Sequence, residues 1–289
     1  MIKAKRCNLL LIELCHLVFS PKGICLLLAA SAINMTYLSS IRNVLGTGER
    51  MSILTPMLMI WCSRQVFPSS HFFLSTFTFF LLSQVPQIDK SFPYQMIRTT
   101  RYKWLCNQLF LIIFANVCLI ILYIVIAVLV MLPHISLSPD WDKNLQLWQD
   151  LQIGSWTVQI PYAVVYRLSQ PQAFLCASVL WWLYSSCGSL LMLVVRLAFP
   201  KVRSAGLGIV FCIYFYDYLC EYSLPYTARW LSPVSLSRMS YLNWGYDPRY
   251  PTFKYAVVFF SCSCVILTVL AFWFGKRTEL NVLSSRADK

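Results

Sequence analysis

Apolar residues in this chain come in long blocks separated by short polar links. The clearest block is LCNQLFLIIFANVCLIILYIVIAVLVML, Leu105 to Leu132. Further blocks cover about 23–40, 68–86, 174–195, 205–219 and 255–275. A bilayer core asks for about twenty consecutive apolar residues in a helix. The pattern therefore predicts an all-α polytopic membrane protein with six transmembrane helices and no soluble domain, because the polar stretches are too short to bury a core. The run ILTPMLMIWC ahead of the second block has only about ten apolar residues. It is too short to cross and reads as a re-entrant piece or an early turn of the next span. A longer polar stretch with Asp140, Asp142, Asp150 and Arg167 separates the third and fourth blocks.

The opening residues, MIKAKRCNLLLIELCHLVFSPKG, have a basic head, but Glu13 and His16 interrupt the apolar positions. No A-x-A-like cleavage site follows, so a cleaved signal peptide is not expected. Residues 1–20 read as an amphipathic interface helix lying on the membrane. The plainer alternative is a frayed first turn of the first span. The two halves of the chain differ in loop length and composition, which gives no support to an inverted-repeat transporter.

Composition and charge sharpen this picture. Charged residues make up 12% of the chain, hydrophobic residues 58%, and the mean hydropathy is +0.61. A soluble domain carries about 25% charged residues. The net charge of +13 would suggest nucleic acid in a soluble protein. No DNA- or RNA-binding motif accompanies it, and Lys and Arg at span ends set membrane topology. With six spans, both termini fall on one side. Fifteen of the twenty-four Lys and Arg then lie on that side, and seven of the eleven acids lie on the other. Counting ILTPMLMIWC as a full crossing would destroy this bias, so both termini are expected in the cytoplasm.

Catalytic signatures are sparse. His16, His71 and His134 are widely separated in sequence. Neither H-E-x-x-H nor G-x-S-x-G occurs, and Gly275-Lys276-Arg277-Thr278 lacks the upstream glycine of a phosphate loop. No enzyme is expected, and no span carries repeated arginines as a voltage sensor would. Most of the twelve cysteines fall in apolar runs, where a thiol acts as a small hydrophobe. Cys262 and Cys264 form a C-x-C without a nearby His, which is a weak metal signal. Cys62 and Cys220 are candidates for pairing that spacing cannot decide.

Two polar residues in apolar blocks stand out as pathway candidates. Asp217, in FCIYFYDYLCEY, reads either as a pathway contact or as an acid solvated at the outer headgroups. The second reading is favoured because Glu221 lies one turn later. Asn34 reads either as a substrate ligand or as glue between helices. Trp181, Trp182, Tyr184, Tyr214, Tyr216 and Tyr218 suit aromatic belts by default and channel walls as an alternative.

The link DKSFPYQMIRTTRYKWLCNQ, Asp89 to Gln108, carries Lys90, Arg98, Arg101 and Lys103 between two blocks. Composition explains it as a positive-inside anchor beside anionic headgroups. A short helix presenting aromatic and cationic residues can also dock on a soluble partner. Three segments together, MIKAKRCNLLLIELCHLVF, FPYQMIRTTRYKW and RWLSPVSLSRMSYL, resemble the permease subunit of a type-2 ATP-binding-cassette exporter, similar to those of low-GC Gram-positive bacteria. The resemblance spans nearly the whole chain in architecture, while its short motifs are loose. It departs from the family in the long link between the third and fourth spans. It implies a cytoplasmic coupling helix over 89–104, with Phe92, Pro93, Tyr94, Arg98 and Arg101 contacting an ATPase subunit dimer. It also implies a re-entrant outer helical hairpin before the last span and a second permease as partner, either a copy of the chain or a sister subunit. No cofactor is expected in this chain, with ATP and Mg held by the partner ATPase. The implied setting is the bacterial plasma membrane, and the implied cargo is a peptide, an antibiotic or a lipid-like molecule. A non-transporting scaffold or sensor subunit is the alternative from a different class.

Overall fold

The structure, a computed structural model, describes residues 20–44, 50–62, 70–83, 85, 100–132, 134–138, 140–141, 160–199, 205–245 and 247–277. It is mostly helical. Among the described residues, three helices are long and apolar enough to cross a membrane. They are α4 (Arg101–Met131), α6 (Gln170–Ala198) and α9 (Phe253–Arg277), named in the order of the described elements. The others are α1 (Pro21–Val44), α2 (Thr55–Cys62), α3 (Ser70–Leu82), α5 (Tyr162–Arg167), α7 (Ala205–Tyr222) and the short α8 (Pro233–Ser237). Continuous helices suit apolar sequence in lipid because each residue's N–H and C=O is satisfied within its own segment.

Helix α6 is the hub, packing against α2, α3, α4, α5, α7, α8 and α9. Its start is fixed locally by a capping box, in which Ser169 N donates to Gln172 Oε1 at 3.1 Å. Its middle carries small residues, Ser185, Ser186, Gly188 and Ser189, which let neighbouring helices come close. The ring of Phe79 on α3 occupies the space where a Cβ on Gly188 would stand. Asn116 of α4 donates to Ser189 Oγ at 3.4 Å.

Pairings along α6 give each neighbour its direction. Gln170 Nε2 donates to Thr55 Oγ1 at 2.6 Å, and Trp61 lies against Phe174 and stacks on Trp181. Next along the chain, His71 meets Trp181, Phe79 meets Tyr184, and Arg196 Nη1 donates to the Ser83 carbonyl at 2.8 Å. Helices α2 and α3 thus follow one another down the same side of α6, covering its length in two pieces. That length is about 43 Å at 1.5 Å per residue. Within ILTPMLMIWC, Thr55–Cys62 packs as α2 along the Gln170 half of α6, and all eight residues of α2 are buried.

The remaining pairs agree. Tyr184 contacts Phe260, Tyr102 stacks on Phe272, and Arg101 Nη1 donates to the Lys276 carbonyl at 3.4 Å, so α9 runs with α6 and α4 runs against both. At the far end of α4, Met51–Ser52 (β1) and Ile135–Ser136 (β2) pair as two short parallel strands. The Lys276 end of the bundle gathers Arg101, Lys103, Arg196 and Arg277, whereas all four acids among the described residues, Asp140, Asp217, Glu221 and Asp247, sit toward the Gln170 end. Phe110, Ile121, Leu129, Val265, Ile266 and Val269 are exposed along α4 and α9, a contiguous apolar exposure that soluble proteins avoid.

Between α7 and α9 the chain folds back on itself through a 3₁₀ turn (Tyr226–Leu231), α8 and a second 3₁₀ turn (Met239–Tyr241). This fold-back is pinned by Tyr216 Oη donating to the Ala228 carbonyl, Tyr255 Oη to the Trp230 carbonyl and Trp230 Nε1 to the Arg249 carbonyl, all near 3 Å. Gly245 follows it at φ +94, in the left-handed region, where a Cβ would also strike the Arg167 guanidinium. Residues 1–19, expected to form the interface helix, lie outside the described residues, as do Phe92, Pro93, Tyr94 and Arg98. Arg101 is described and belongs to α4 itself, one residue after the N-cap Thr100.

Candidate functional site: a buried arginine and its polar neighbours

Asp217 is 1% exposed and lies on the inward face of α7, so the solvated reading favoured by its neighbour Glu221 does not hold. Its Oδ1 accepts from Ser232 Oγ at 2.6 Å and from Ser235 Oγ at 2.5 Å. Both serines belong to the fold-back. Ser232 serves twice, since its Oγ also accepts from Ser235 N at 3.2 Å as the N-cap of α8, with Pro233 preset for the first helical position. The sequence SPVSLSR thus builds a short helix that spends two of its hydroxyls, those of Ser232 and Ser235, on one carboxylate.

Arg238, directly after α8, is fully buried at 0% exposure. Its Nη1 stands 4.0 Å from Asp217 Oδ2, an ion pair too long for a hydrogen bond. Nε, Nη1 and Nη2 of Arg238 have no hydrogen-bond partner among the described residues, nor has Asp217 Oδ2. The neighbouring Ser237 places its Oγ 3.0 Å from His71 Nε2, which ties the fold-back to the first turn of α3. His71 is fully buried, set edge-on to Trp181 at 4.6 Å between ring centroids, and its Nδ1 has no hydrogen-bond partner among the described residues. Below it, Tyr184 Oη donates to Tyr214 Oη at 2.9 Å, and Tyr214 in turn bonds the hydroxyl of Ser75.

A second arginine holds the outer part of the fold-back. Arg229 Nη2 pairs with Glu221 Oε2 at 2.9 Å, and its guanidinium lies over the rings of Tyr226, Tyr241 and Tyr250. Asp217 and Glu221, four residues apart on α7, each take one arginine from the same segment. In the loop beyond, Asp247 accepts from the backbone N–H of Arg249 and then from its guanidinium, and these bonds hold its carboxyl below the usual range.

Arg238, His71 and the Tyr184–Tyr214 pair lie level with the midpoint of α6. Sequence reasoning singled out Asp217 and missed Arg238, which it counted only as an outward charge. The available signal was a run of serines and one arginine inside an otherwise apolar and aromatic stretch. Trp181, Tyr184 and Tyr214, expected by default in a belt, line this interior, whereas Tyr218 is exposed. Asn34 lies on α1, and its side chain is outside the described residues. Cys62 and Cys220 are both buried and both free thiols. Among the described residues no group of three or more His, Cys, Asp or Glu comes together as a metal site. Compared with protein-family models, with curated proteins and with solved structures, the chain gives no match.

Proposed function

We propose that this chain is the membrane-spanning permease subunit of a type-2 ATP-binding-cassette exporter in a bacterial plasma membrane. On this reading α1, the α2–α3 path, α4, α6, α7 and α9 are the six spans, both termini are cytoplasmic, and the fold-back at Tyr226–Tyr241 is the re-entrant outer hairpin. The basic end of the bundle faces the cytoplasm, as the positive-inside bias requires. A separate ATPase dimer binds ATP and Mg and engages the link at Phe92, Pro93, Tyr94, Arg98 and Arg101. Closure of that dimer rocks the spans between inward- and outward-facing arrangements. The permease works as a pair, with a second copy or a sister subunit, and moves a peptide, an antibiotic or a lipid-like cargo.

One observation carries the transport reading. Buried ionisable residues, Asp217, Arg238 and His71, converge at mid-bundle. Burying charge in an apolar interior is expensive and is typical of pathways. Asp217 then has the pathway role, held ready beside Arg238. A second reading, a scaffold or sensor subunit that moves nothing, has its own support. Asp217, Arg238, His71, Tyr184 and Tyr214 are all buried, as in a purely structural polar network.

The two readings part on coupling. Expressed with a P-loop ATPase from a neighbouring gene, the chain should co-purify and stimulate ATP hydrolysis. Tyr94→Ala combined with Arg98→Glu should remove most of that stimulation. An intact complex with undiminished stimulation defeats the coupling assignment, and the absence of any ATPase partner leaves the scaffold reading.

A further inference from the structure

Two thiols near the middle of the bundle stand outside the polar network around Arg238. Cys187 lies on α6 in the run SSCGS, and Cys264 lies on α9 in the run SCSC. Small side chains on both helices let the two backbones come close. The register is set one turn earlier, where Tyr184 meets Phe260 at 6.1 Å between ring centroids. Since α9 runs with α6, a turn onward from that contact brings Cys187 level with Cys264. The two thiols share a hydrogen bond. Both are free and partly buried.

This arrangement meets what a disulfide asks for. Helices packed at about 8–10 Å between axes, each with its Cα atoms about 2.3 Å from the axis, bring facing Cα atoms within the reach of about 4–7 Å that a disulfide spans. The surroundings narrow the chemistry further. An apolar interior penalises a charged product, such as two thiolates around a monovalent metal ion, and tolerates a neutral one. Among the described residues no third His, Cys, Asp or Glu joins the pair as a metal site. Cys262, two residues before Cys264, is exposed and projects from a different side of α9.

We propose that Cys187 and Cys264 are a redox modification site, a dithiol that a lipid-soluble oxidant of the quinone class closes into a disulfide between α6 and α9. One S–S bond forms and two S–H bonds break. The two electrons and two protons released reduce the quinone to its hydroquinone. A dithiol reductant reverses the step by thiol–disulfide exchange. The link ties the hub helix α6 to α9, which holds the fold-back through Tyr255 and the basic end through the Lys276 carbonyl. It stops either helix from sliding past the other. That this halts a transport cycle rests on the permease reading; formation of the link does not.

The test uses the full chain in phosphatidylcholine nanodiscs, treated with tetramethylbenzoquinone, whose fully substituted ring disfavours thiol addition. Remaining thiols are alkylated under denaturing conditions, and linked peptides are identified by mass spectrometry. The expected product joins the peptides that hold Cys187 and Cys264, is lighter than the reduced pair by two hydrogens, and disappears with dithiothreitol. Copper phenanthroline, a stronger oxidant, is used in a parallel arm. A link with copper but not with the quinone overturns the oxidant class, and no link in either arm overturns the site. Cys187→Ala and Cys264→Ala should each abolish the link. A Cys187–Cys262 link of equal yield in Cys264→Ala overturns the site, because it would show pairing by motion and not by placement. Should the variants not fold, the wild-type peptide map decides alone. Oxidation should also raise the unfolding temperature of the wild-type chain. An unshifted transition in the linked chain overturns the lock between the helices. A link that forms in a chain with no coupled ATPase keeps the site and removes the permease reading. ATPase coupling in a chain that forms no link does the reverse.

Discussion

Arg238 and Asp217 are out of water together but not bonded together, and that geometry makes a stability prediction. Removing one partner of a buried pair leaves an uncompensated charge, so Asp217→Asn should lower stability by on the order of 3 kcal/mol. Adding Arg238→Met to it should return much of that loss, because an apolar side chain of similar length needs no partner. Thermal unfolding of the detergent-solubilised chain measures both, and an additive double variant would show that the two groups do not sense each other. The outer arginine differs because Arg229 is bonded to Glu221 and caged by tyrosines. Arg229→Met should therefore loosen the fold-back locally, seen as faster amide exchange over 226–241 with α6 unchanged. At this scale the sequence was a partial guide. An acid in an apolar run is visible as an anomaly, which is how Asp217 was found. Its solvation was misjudged because Glu221 one turn on suggested an interface, whereas the serines that bury Asp217 arrive from fifteen and eighteen residues later.

Among the elements, α2 and α3 depart furthest from what periodicity suggests. Hydropathy weighs a segment by length, so an eight-residue apolar helix followed by a polar link scores as no span at all. Its burial on every side comes from α6 and α4, which a local window cannot register. Trp61, held between Phe174 and Trp181, is the anchor of that half-helix. Trp61→Ala should cost about 3–5 kcal/mol, as large aromatic truncations in packed interiors do. The joint between α3 and α6 is tested by the opposite change. Gly188→Ala should destabilise by about 1–3 kcal/mol through overpacking against Phe79, despite the better helix propensity of alanine. Shortening the ring with Phe79→Leu should rescue it in the double variant. If Gly188→Ala instead raises the unfolding temperature on its own, the two helices are not in close contact at that point. The blocks at 105–132, 174–195 and 255–275 were readable almost to their ends, since long apolar helices need no tertiary help to be recognised.

For the whole molecule, a sorting of charge organises everything else. Arg101, Lys103, Arg196, Lys276 and Arg277 gather at one end of the bundle, and every described acid sits toward the other. That sorting was legible from the chain because it depends only on which link each charge occupies. The convergence at mid-bundle was not, because it needs His71, Asp217 and Arg238 brought together across 167 residues of sequence. The account requires the basic end to face the cytoplasm, with the acidic end and the fold-back outside. Labelling of single cysteines in a cysteine-free background, using a membrane-impermeant thiol reagent on sealed cells and on inverted vesicles, measures this directly. A cysteine at position 99 should react only from the cytoplasmic face and one at position 143 only from outside. The reverse pattern, or both positions reacting from one face, would contradict the bundle's orientation and the pathway built on it.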